Sequence, residues 1–250
     1  MRKSESGSRF CLFHGIAITC LMCFTVVTIC PQAALAEDLQ EALQLVEKSL
    51  MTFNAFIADK DMGPSLQVIL KGAKGVLIYP QVLGGAFIFG ASGGSGTFLA
   101  YDEKANAWSG PAFYTMGQVS FGLIAGGRAS EVVLVALTDR GVSALLTTST
   151  KLGADAAIAL GPVGAGAEAA TANLSGDIIS YARNQGLYGG VGVNGAVVAP
   201  RDALNAAYYG KEVTPTQILI QREVTNSHAN GLIEAVRRQT GGKWRESDLE

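Results

Sequence analysis

The middle of this sequence reads Glu131-Val132-Val133-Leu134-Val135-Ala136-Leu137-Thr138. Six consecutive residues, Val132 to Leu137, are apolar, and polar residues stand at both ends of the run. A strand with one face in water alternates apolar and polar residues, whereas a strand covered on both faces is apolar throughout. The stretch therefore predicts a strand buried on both faces, which ends at the turn Asp139-Arg140-Gly141.

Shorter candidate strands lie on both sides of this central one. Turn residues separate them at short intervals, a spacing that is typical of antiparallel sheets. Glycines crowd two stretches, Gly84–Gly96 and Gly186–Gly195, among β-type residues, which indicates tight turns, bulges and close packing in a curved sheet. The candidates are Val76–Tyr79, Ala86–Phe89, Thr97–Tyr101, Ala112–Thr115, Phe121–Ala125, Ala165–Ala172, Asp177–Arg183 and Leu187–Val198.

Helical patterns precede and follow the strands. From Leu39 to Phe53 an apolar residue recurs every three or four positions, which predicts a helix that packs one face on the sheet. Its acidic residues are expected to face outward, and they are Glu37, Asp38, Glu41 and Glu47. The sequence thus predicts an α+β domain, with an antiparallel sheet or small barrel-like core flanked by N- and C-terminal helices. The other predicted helical segments are Ser65–Lys71, Val142–Thr147, Arg201–Tyr209, one that begins at Thr214-Pro215, and Ser227–Gln239.

The first 36 residues have the pattern of a secretory signal peptide. Basic residues precede an apolar run, Phe10–Cys30, and Ala34-Leu35-Ala36 is the small-x-small pattern that signal peptidases recognise. Cleavage after Ala36 would leave residues 37–250 as a single exported domain, periplasmic or envelope-associated, with a core at about 65–210 and a C-terminal helix and tail at 214–250. The alternative is that residues 10–30 stay in place as a membrane anchor, since roughly 20 apolar residues span a bilayer.

Removal of this leader would leave few residues that could act as metal ligands or catalytic nucleophiles. All four cysteines and one of the two histidines lie within it, so the remaining chain has no cysteine and only His228. Zinc sites need several His or Cys ligands, and serine nucleophiles usually need a histidine base. The pattern Gly190-x-Gly192-x-x-Gly195 continues as a strand and stops at Pro200, which is the wrong context for dinucleotide binding. We therefore predict no catalytic residues, no metal site and no cofactor.

Charge and basic clusters bear on possible partners. The leader removes three basic residues and one acidic residue, so the remaining chain has four more acidic than basic side chains, which argues against nucleic-acid binding. Two basic groups are candidate lipid-binding residues, although for the C-terminal group the favoured explanation is the ordinary one, that cations stabilise a helix C-terminus and that termini fray. The candidates are Lys71 and Lys74, and near the C-terminus Arg237, Arg238, Lys243, Trp244 and Arg245.

A series of motifs follows through the predicted β region in a set order. They are Lys74–Pro80, the Gly84–Gly96 stretch, Trp108–Tyr114, Ser120–Gly122, Glu131–Gly141, Leu152–Asp155, Gly161–Gly164, Ile179–Arg183, Gly186–Gly190 and Ala207–Gly210. In this order they resemble the SYLF domain, a family of lipid-binding modules whose eukaryotic members also bind actin filaments or their regulators. The resemblance covers residues 40 to 240, almost all of the chain that follows the leader.

The resemblance implies a non-enzymatic phospholipid-binding domain, with phosphoinositides as the ligand in eukaryotic relatives. In those relatives lipid contact is associated with basic residues and an amphipathic N-terminal segment, which here correspond to Lys71, Lys74 and the Leu39–Phe53 helix. The actin partner is not carried over, because the leader looks bacterial and the periplasm contains no actin. The expected function is phospholipid binding at the envelope membrane surface, and the alternative is an envelope structural module whose partner is a protein.

Overall fold

The computed structural model describes residues 31–86, 89–121, 126–164, 176–184 and 193–240. The chain divides into two compact units, Met1–Glu37 and Asp38–Glu250. Of the first unit only Pro31–Glu37 is described, and it is helical. The sections below concern the second unit.

Helices flank a β-rich middle, as the sequence predicts. Among the described residues, no helix combines the length and apolar character needed to cross a membrane. The predicted segment Ala165–Ala172 and residues 187–192 of Leu187–Val198 lie outside the described residues. The elements are α1 (Pro31–Ile57), α2 (Gly63–Leu70), β1 (Gly75–Ala86), β2 (Phe89–Asp102), β3 (Ala107–Phe121), β4 (Gly126–Ala136), α3 (Asp139–Leu145), β5 (Thr150–Lys151), β6 (Ile158–Leu160), β7 (Ile178–Asn184), β8 (Val197–Pro200), α4 (Asp202–Tyr209), α5 (Pro215–Leu219), a 3-10 turn (Ser227–Ala229) and α6 (Asn230–Gln239).

The strands form one curled sheet in the order β5-β8-β3-β2-β1-β4-β7-β6. Every neighbouring pair is antiparallel except β6 and β7, which are parallel. The described strands at the two edges, β5 and β6, do not pair with each other, so the sheet is an open half-barrel. The predicted α+β class with an antiparallel, barrel-like core is confirmed.

Both faces of the sheet carry a hydrophobic core, and β4 contributes to both. Val133 and Val135 belong to the core on one face, with apolar side chains of α1, α2, α4 and α6. Val132, Leu134 and Ala136 belong to the core on the other face, with side chains of α3 and α5. All five are almost fully buried, which confirms that this strand is covered on both faces.

β1 and β2 are longer than the strands that the sequence predicts there. The predicted strand Thr97–Tyr101 lies within β2. Of the predicted strand Ala86–Phe89, Ala86 ends β1 and Phe89 begins β2, whereas residues 87 and 88 lie outside the described residues. The register of β1 shifts between Tyr79 and Val82, where the strand bulges. A Cβ atom at Gly94 would lie 2.2 Å from the Gln81 carbonyl oxygen, so glycine is required where β2 passes the bulge, one of the roles predicted for these glycines.

The predicted first helix is present, but its buried face differs from the predicted stripe. Val46 and Phe53 are buried as expected, whereas Leu39 is exposed. The face that packs on the sheet is made of Ala42, Leu45, Val46, Ser49, Thr52, Phe53 and Phe56. The small side chains Ala42 and Ser49 allow close contact with the sheet, which hydrophobic periodicity alone does not reveal.

Candidate functional site

Lys71 and Lys74 lie at the start of the sheet. Lys71 caps the C-terminus of α2 and is exposed, and Lys74 immediately precedes β1. Together with Tyr101, Lys104 and Asn106 they line a cleft of about 610 Å³, which we call the basic cleft. The structure therefore brings the two predicted lysines together, and it adds Lys104 to them.

Lys74 is already paired with carboxylates of its own chain. Its Nζ lies 2.9 Å from Asp139 Oδ1 and 3.0 Å from Glu103 Oε1. The hydrogen bonds to Asp139 and then Glu103 raise the pKa of Lys74, so the amine stays charged. Among the described residues Lys71 makes no ion pair, which leaves it the freer of the two predicted cations.

The C-terminal arginines reach the same end of the sheet. The indole N–H of Trp108 donates to Thr240 Oγ1 at 3.0 Å just beyond α6, and the Trp108 ring packs 5.6 Å from Tyr101 of the basic cleft. Arg237 and Arg238 in the last turn of α6 lie 2.7 and 3.8 Å from Glu234. Lys243, Trp244 and Arg245 fall outside the described residues. The role of all these residues in lipid binding stays a prediction.

Two acidic residues of α1 face outward, as the sequence predicts, and each also has a basic neighbour. Arg201 forms a bidentate pair with Glu41 and also donates to Ser95 Oγ at 2.8 Å. Glu47 lies 3.5 Å from His228 Nε2. Because these contacts join residues 160 and 181 positions apart, nothing in the local sequence reveals them. They connect α1 to β2, to the start of α4 and to the 3-10 turn, and Arg201 offsets the charge of Glu41.

A further cluster holds the other end of α1. The Arg183 guanidinium pairs with Glu131, lies 3.8 Å from Asp59, and stacks 5.2 Å from the centre of the Phe56 ring. The cation is half-buried and every partner belongs to this chain. It therefore stabilises the fold and is not available to an anionic ligand.

The far end of the sheet is different, because one of its faces is uncovered and apolar. Farther along the sheet, α1 covers this same face. Two rows of cross-strand neighbours lie beyond the helix, and we call these two rows the open face. Their six residues are Leu83, Gly93, Gly117 and Val197 in one row, and Ala91 and Val119 in the next. Leu83 is 56% exposed and Val119 is 70% exposed, while the intervening Val82 and Met116 are buried on the opposite face.

A narrow cleft of about 210 Å³ begins where the open face meets α1. Gln44 and Lys48 of α1 line one side, and Gln81, Leu83 and Ser95 line the other. Lys48 is exposed and makes no ion pair with any described residue. We call this space the α1 cleft.

Two hydroxyl groups near the α1 cleft are fully buried and have no hydrogen-bond partner. One is Thr97 Oγ1, two residues beyond Ser95 on the same face of β2, and the other is Ser49 Oγ in the turn of α1 that contains Lys48. A buried polar atom without a partner costs about 1–3 kcal/mol. Tyr79 Oη and Ser180 Oγ elsewhere in the sheet are unpartnered as well, so this property is not specific to the α1 cleft.

Within the part of the chain that the structure describes, no three His, Cys, Asp or Glu side chains are arranged to hold a metal ion. Burial raises the pKa of Tyr79 and Tyr114, which are core residues with no acid–base partner in a cleft. The basic cleft and the α1 cleft offer lysines, amides and apolar surface, and each also carries one glutamate, Glu103 and Glu41 respectively.

Comparison with known proteins places the chain in a family. Residues 117–239 match the family model Ysc84, described as Las17-binding protein actin regulator. The chain belongs to the Ysc84 (SYLF) family. It is 28% identical over 193 residues to LAS seventeen-binding protein 3 of Saccharomyces cerevisiae, an alignment that covers 76% of this chain and 41% of the yeast protein. It is 27% identical over 168 residues to human SH3 domain-containing YSC84-like protein 1, which covers 66% of this chain and 48% of the human protein.

This SYLF-family chain therefore spans about half the length, or less, of the curated relatives it matches. The family model begins at Gly117 on the open face and ends at Gln239, the last residue of α6. It leaves out α1, β1 and β2, which form most of the α1 cleft. Sequence reasoning missed this cleft, because Lys48 and Gln81 are unremarkable residues until the fold brings them together.

Proposed function

We propose that this SYLF-family protein binds phospholipid membranes, without enzymatic activity, through the open face and the strand ends beside it. The observation that carries the proposal is the uncovered apolar surface of Leu83, Val119 and Val197 on an otherwise well-covered sheet. Contiguous exposed apolar surface on a globular protein marks a place of interaction.

The composition of the neighbouring connections supports a hydrocarbon partner. β1, β2, β3 and β4 all begin or end at this end of the sheet. The sequence between β1 and β2 is Phe87-Ile88, and that between β3 and β4 is Gly122-Leu123-Ile124-Ala125. None of these residues is charged, a composition that is typical of segments that contact hydrocarbon.

The charges at the border of the open face fit an anionic membrane. Lys48 lies at the α1 cleft, and Lys151 of β5 pairs in register with Val197 of the first row. Each lysine near an anionic bilayer contributes about 1 kcal/mol of attraction. The apolar surface would then enter the interface while these lysines meet the phosphates.

We also propose that the protein acts outside the cytoplasm, at the cell envelope. The leader pattern of residues 1–36 supports this. Helix α1 runs through the predicted cleavage point, so cleavage after Ala36 would make Glu37 and Asp38 its first turn. Acidic side chains there interact favourably with the helix dipole, and the shortened helix would keep its buried face intact.

A protein partner is the second candidate. The family model is described as a Las17-binding actin regulator, and the yeast relative carries the name LAS seventeen-binding protein 3. These descriptions support protein binding by this chain as well. Because the chain covers less than half of the yeast protein and its leader predicts export, the partner we would expect is an envelope protein.

Sedimentation with vesicles tests the proposal. Purified protein is mixed with phosphatidylcholine vesicles, with or without phosphatidylglycerol, and the pelleted fraction is measured. We expect pelleting with both and tighter binding to the anionic vesicles. No pelleting with either would refute membrane binding. A stoichiometric protein recovered from envelope extracts, together with failure to pellet, would establish the second candidate instead.

A further inference from the structure

The open face continues into the α1 cleft along a single strand. On that face β2 presents Ala91, Gly93, Ser95 and Thr97, every second residue, and each of these is small. We propose that this track holds one acyl chain of an anionic phospholipid, with its headgroup at Lys48. This inference rests on the proposed membrane binding and specifies what the bound lipid touches.

The dimensions of the track suit a hydrocarbon chain. The neighbouring strands β1 and β3 lie about 10 Å apart across β2, since adjacent strands are separated by about 4.8 Å. Leu83 stands on the β1 side and Val119 on the β3 side, while Gly93 lies between them. The five residues from Ala91 to Ser95 span about 13 Å, long enough to hold a large part of an acyl chain.

The inner end of the track meets a cation. Lys48 lines the α1 cleft at that end and has no carboxylate partner among the described residues. Ser95 lies on the opposite side of the same cleft. Lys48 is the observation, independent of the small residues, that points to a bound anionic group.

The charges of the α1 cleft select an anion. Glu41 also lines the cleft, but Arg201 holds both of its carboxylate oxygens. Lys48 has no carboxylate partner among the described residues, so the cleft carries an uncompensated positive charge. A lipid with its phosphate at Lys48 and its chain toward the apolar end of the sheet has the orientation of a lipid in a bilayer.

Gly117 provides a direct test, because it borders the track and a side chain there meets no obstacle. A Cβ atom at Gly117 would have no atom within 4 Å, so G117L is compatible with the fold. The leucine would project on the same face beside Gly93 and fill the track. The matched control is V197L, which enlarges an apolar side chain in the same row but one strand farther from the track.

The probe is lysophosphatidic acid below its critical micelle concentration, measured by calorimetry, with vesicle sedimentation alongside. We expect G117L to weaken lysophosphatidic acid binding at least tenfold and V197L to change it less than twofold. Vesicle binding by G117L should stay equal or increase, because the substitution adds apolar surface. K48Q should weaken binding of the probe about tenfold and binding of lysophosphatidylcholine less, because the choline group offsets the phosphate charge of the latter.

Several outcomes would overturn the inference and leave membrane binding standing. The unchanged protein could pellet with vesicles and bind no monomeric lysophosphatidic acid. G117L could bind the probe as tightly as V197L does. A dimer in solution that G117L dissociates would show that the track packs against a second copy. Failure of the unchanged protein to pellet with any vesicle would instead refute the proposed function itself.

Discussion

Replacement of the exposed aliphatic side chains of the open face should weaken membrane binding by a predictable amount. Full transfer of a Leu or Val side chain from water to an apolar environment is worth about 1.5–3 kcal/mol. Leu83 is 56% exposed and Val119 is 70% exposed, so each would gain about 1 kcal/mol on entering the membrane. The double variant L83S/V119S should therefore lose about 2 kcal/mol, or about 30-fold in the vesicle partition coefficient.

The assay is sedimentation of the protein over a series of phosphatidylcholine–phosphatidylglycerol vesicle concentrations. The matched control is L160S/V163S, because these side chains are 57% and 54% exposed and lie in or just after the edge strand β6. We expect the control to bind as the unchanged protein does. Urea unfolding should give similar free energies for all three proteins, since surface substitutions usually change stability by less than about 0.5 kcal/mol.

Two results would refute the reasoning. A loss of less than threefold in L83S/V119S would show that the open face does not enter the membrane. An equal loss in L160S/V163S would show that general hydrophobicity, and not this face, governs adsorption.

Two other predictions concern stability and the basic cleft. Hydrogen bonds from the Thr138 hydroxyl and then the Ala157 N–H lower the pKa of Asp177 in the folded protein. The ionised carboxylate therefore contributes to the free energy of unfolding above about pH 4, and this contribution is lost as the pH falls through the folded-state pKa. D177N should lower the free energy of unfolding in urea by about 1–3 kcal/mol at pH 7 and by less at pH 3, and an equal effect at both would contradict this. K71Q/K74Q should reduce anionic-vesicle binding less than threefold, because Lys74 is already paired; a tenfold loss would locate the headgroup contact at the basic cleft.

The sequence predicts the structure best where a continuous run of apolar residues indicates that an element is buried. Val132 to Leu137 predict a strand that is covered on both faces, and β4 has that burial. The cap residues Thr214 and Gly210 likewise mark helix boundaries, with a capping box at Thr214 and a left-handed backbone at Gly210. These features depend on local chemistry, which a single sequence contains.

Contacts between residues distant in the sequence, and the pairing register of the strands, have no such local pattern. Glycines in β2 indicate close packing or turns equally well, and only the register with β1 shows that they pass a bulge. Alternation of apolar and polar residues does not reveal the open face either. The exposed Val119 is apolar like the buried Met116, and the exposed Gly117 has no side chain. The pairing of Glu41 with Arg201 needs the tertiary fold, so the acidity of α1 looks greater in the sequence than in the structure.

The basic cleft and the open face cannot both be the main membrane contact. Lys74 precedes the start of β1 and Leu83 lies near its end, and the nine residues of strand from Gly75 to Leu83 span about 26 Å. Helix α1 packs on the sheet between them and is about 10 Å thick with its side chains. At physiological salt the Debye length is about 8 Å, so a charge about 26 Å from a membrane feels almost none of its field. A protein that inserts the open face would hold the basic cleft away from the lipid, where it is free to meet a protein partner. The substitutions K71Q/K74Q and L83S/V119S should therefore separate the two activities, each impairing one and sparing the other.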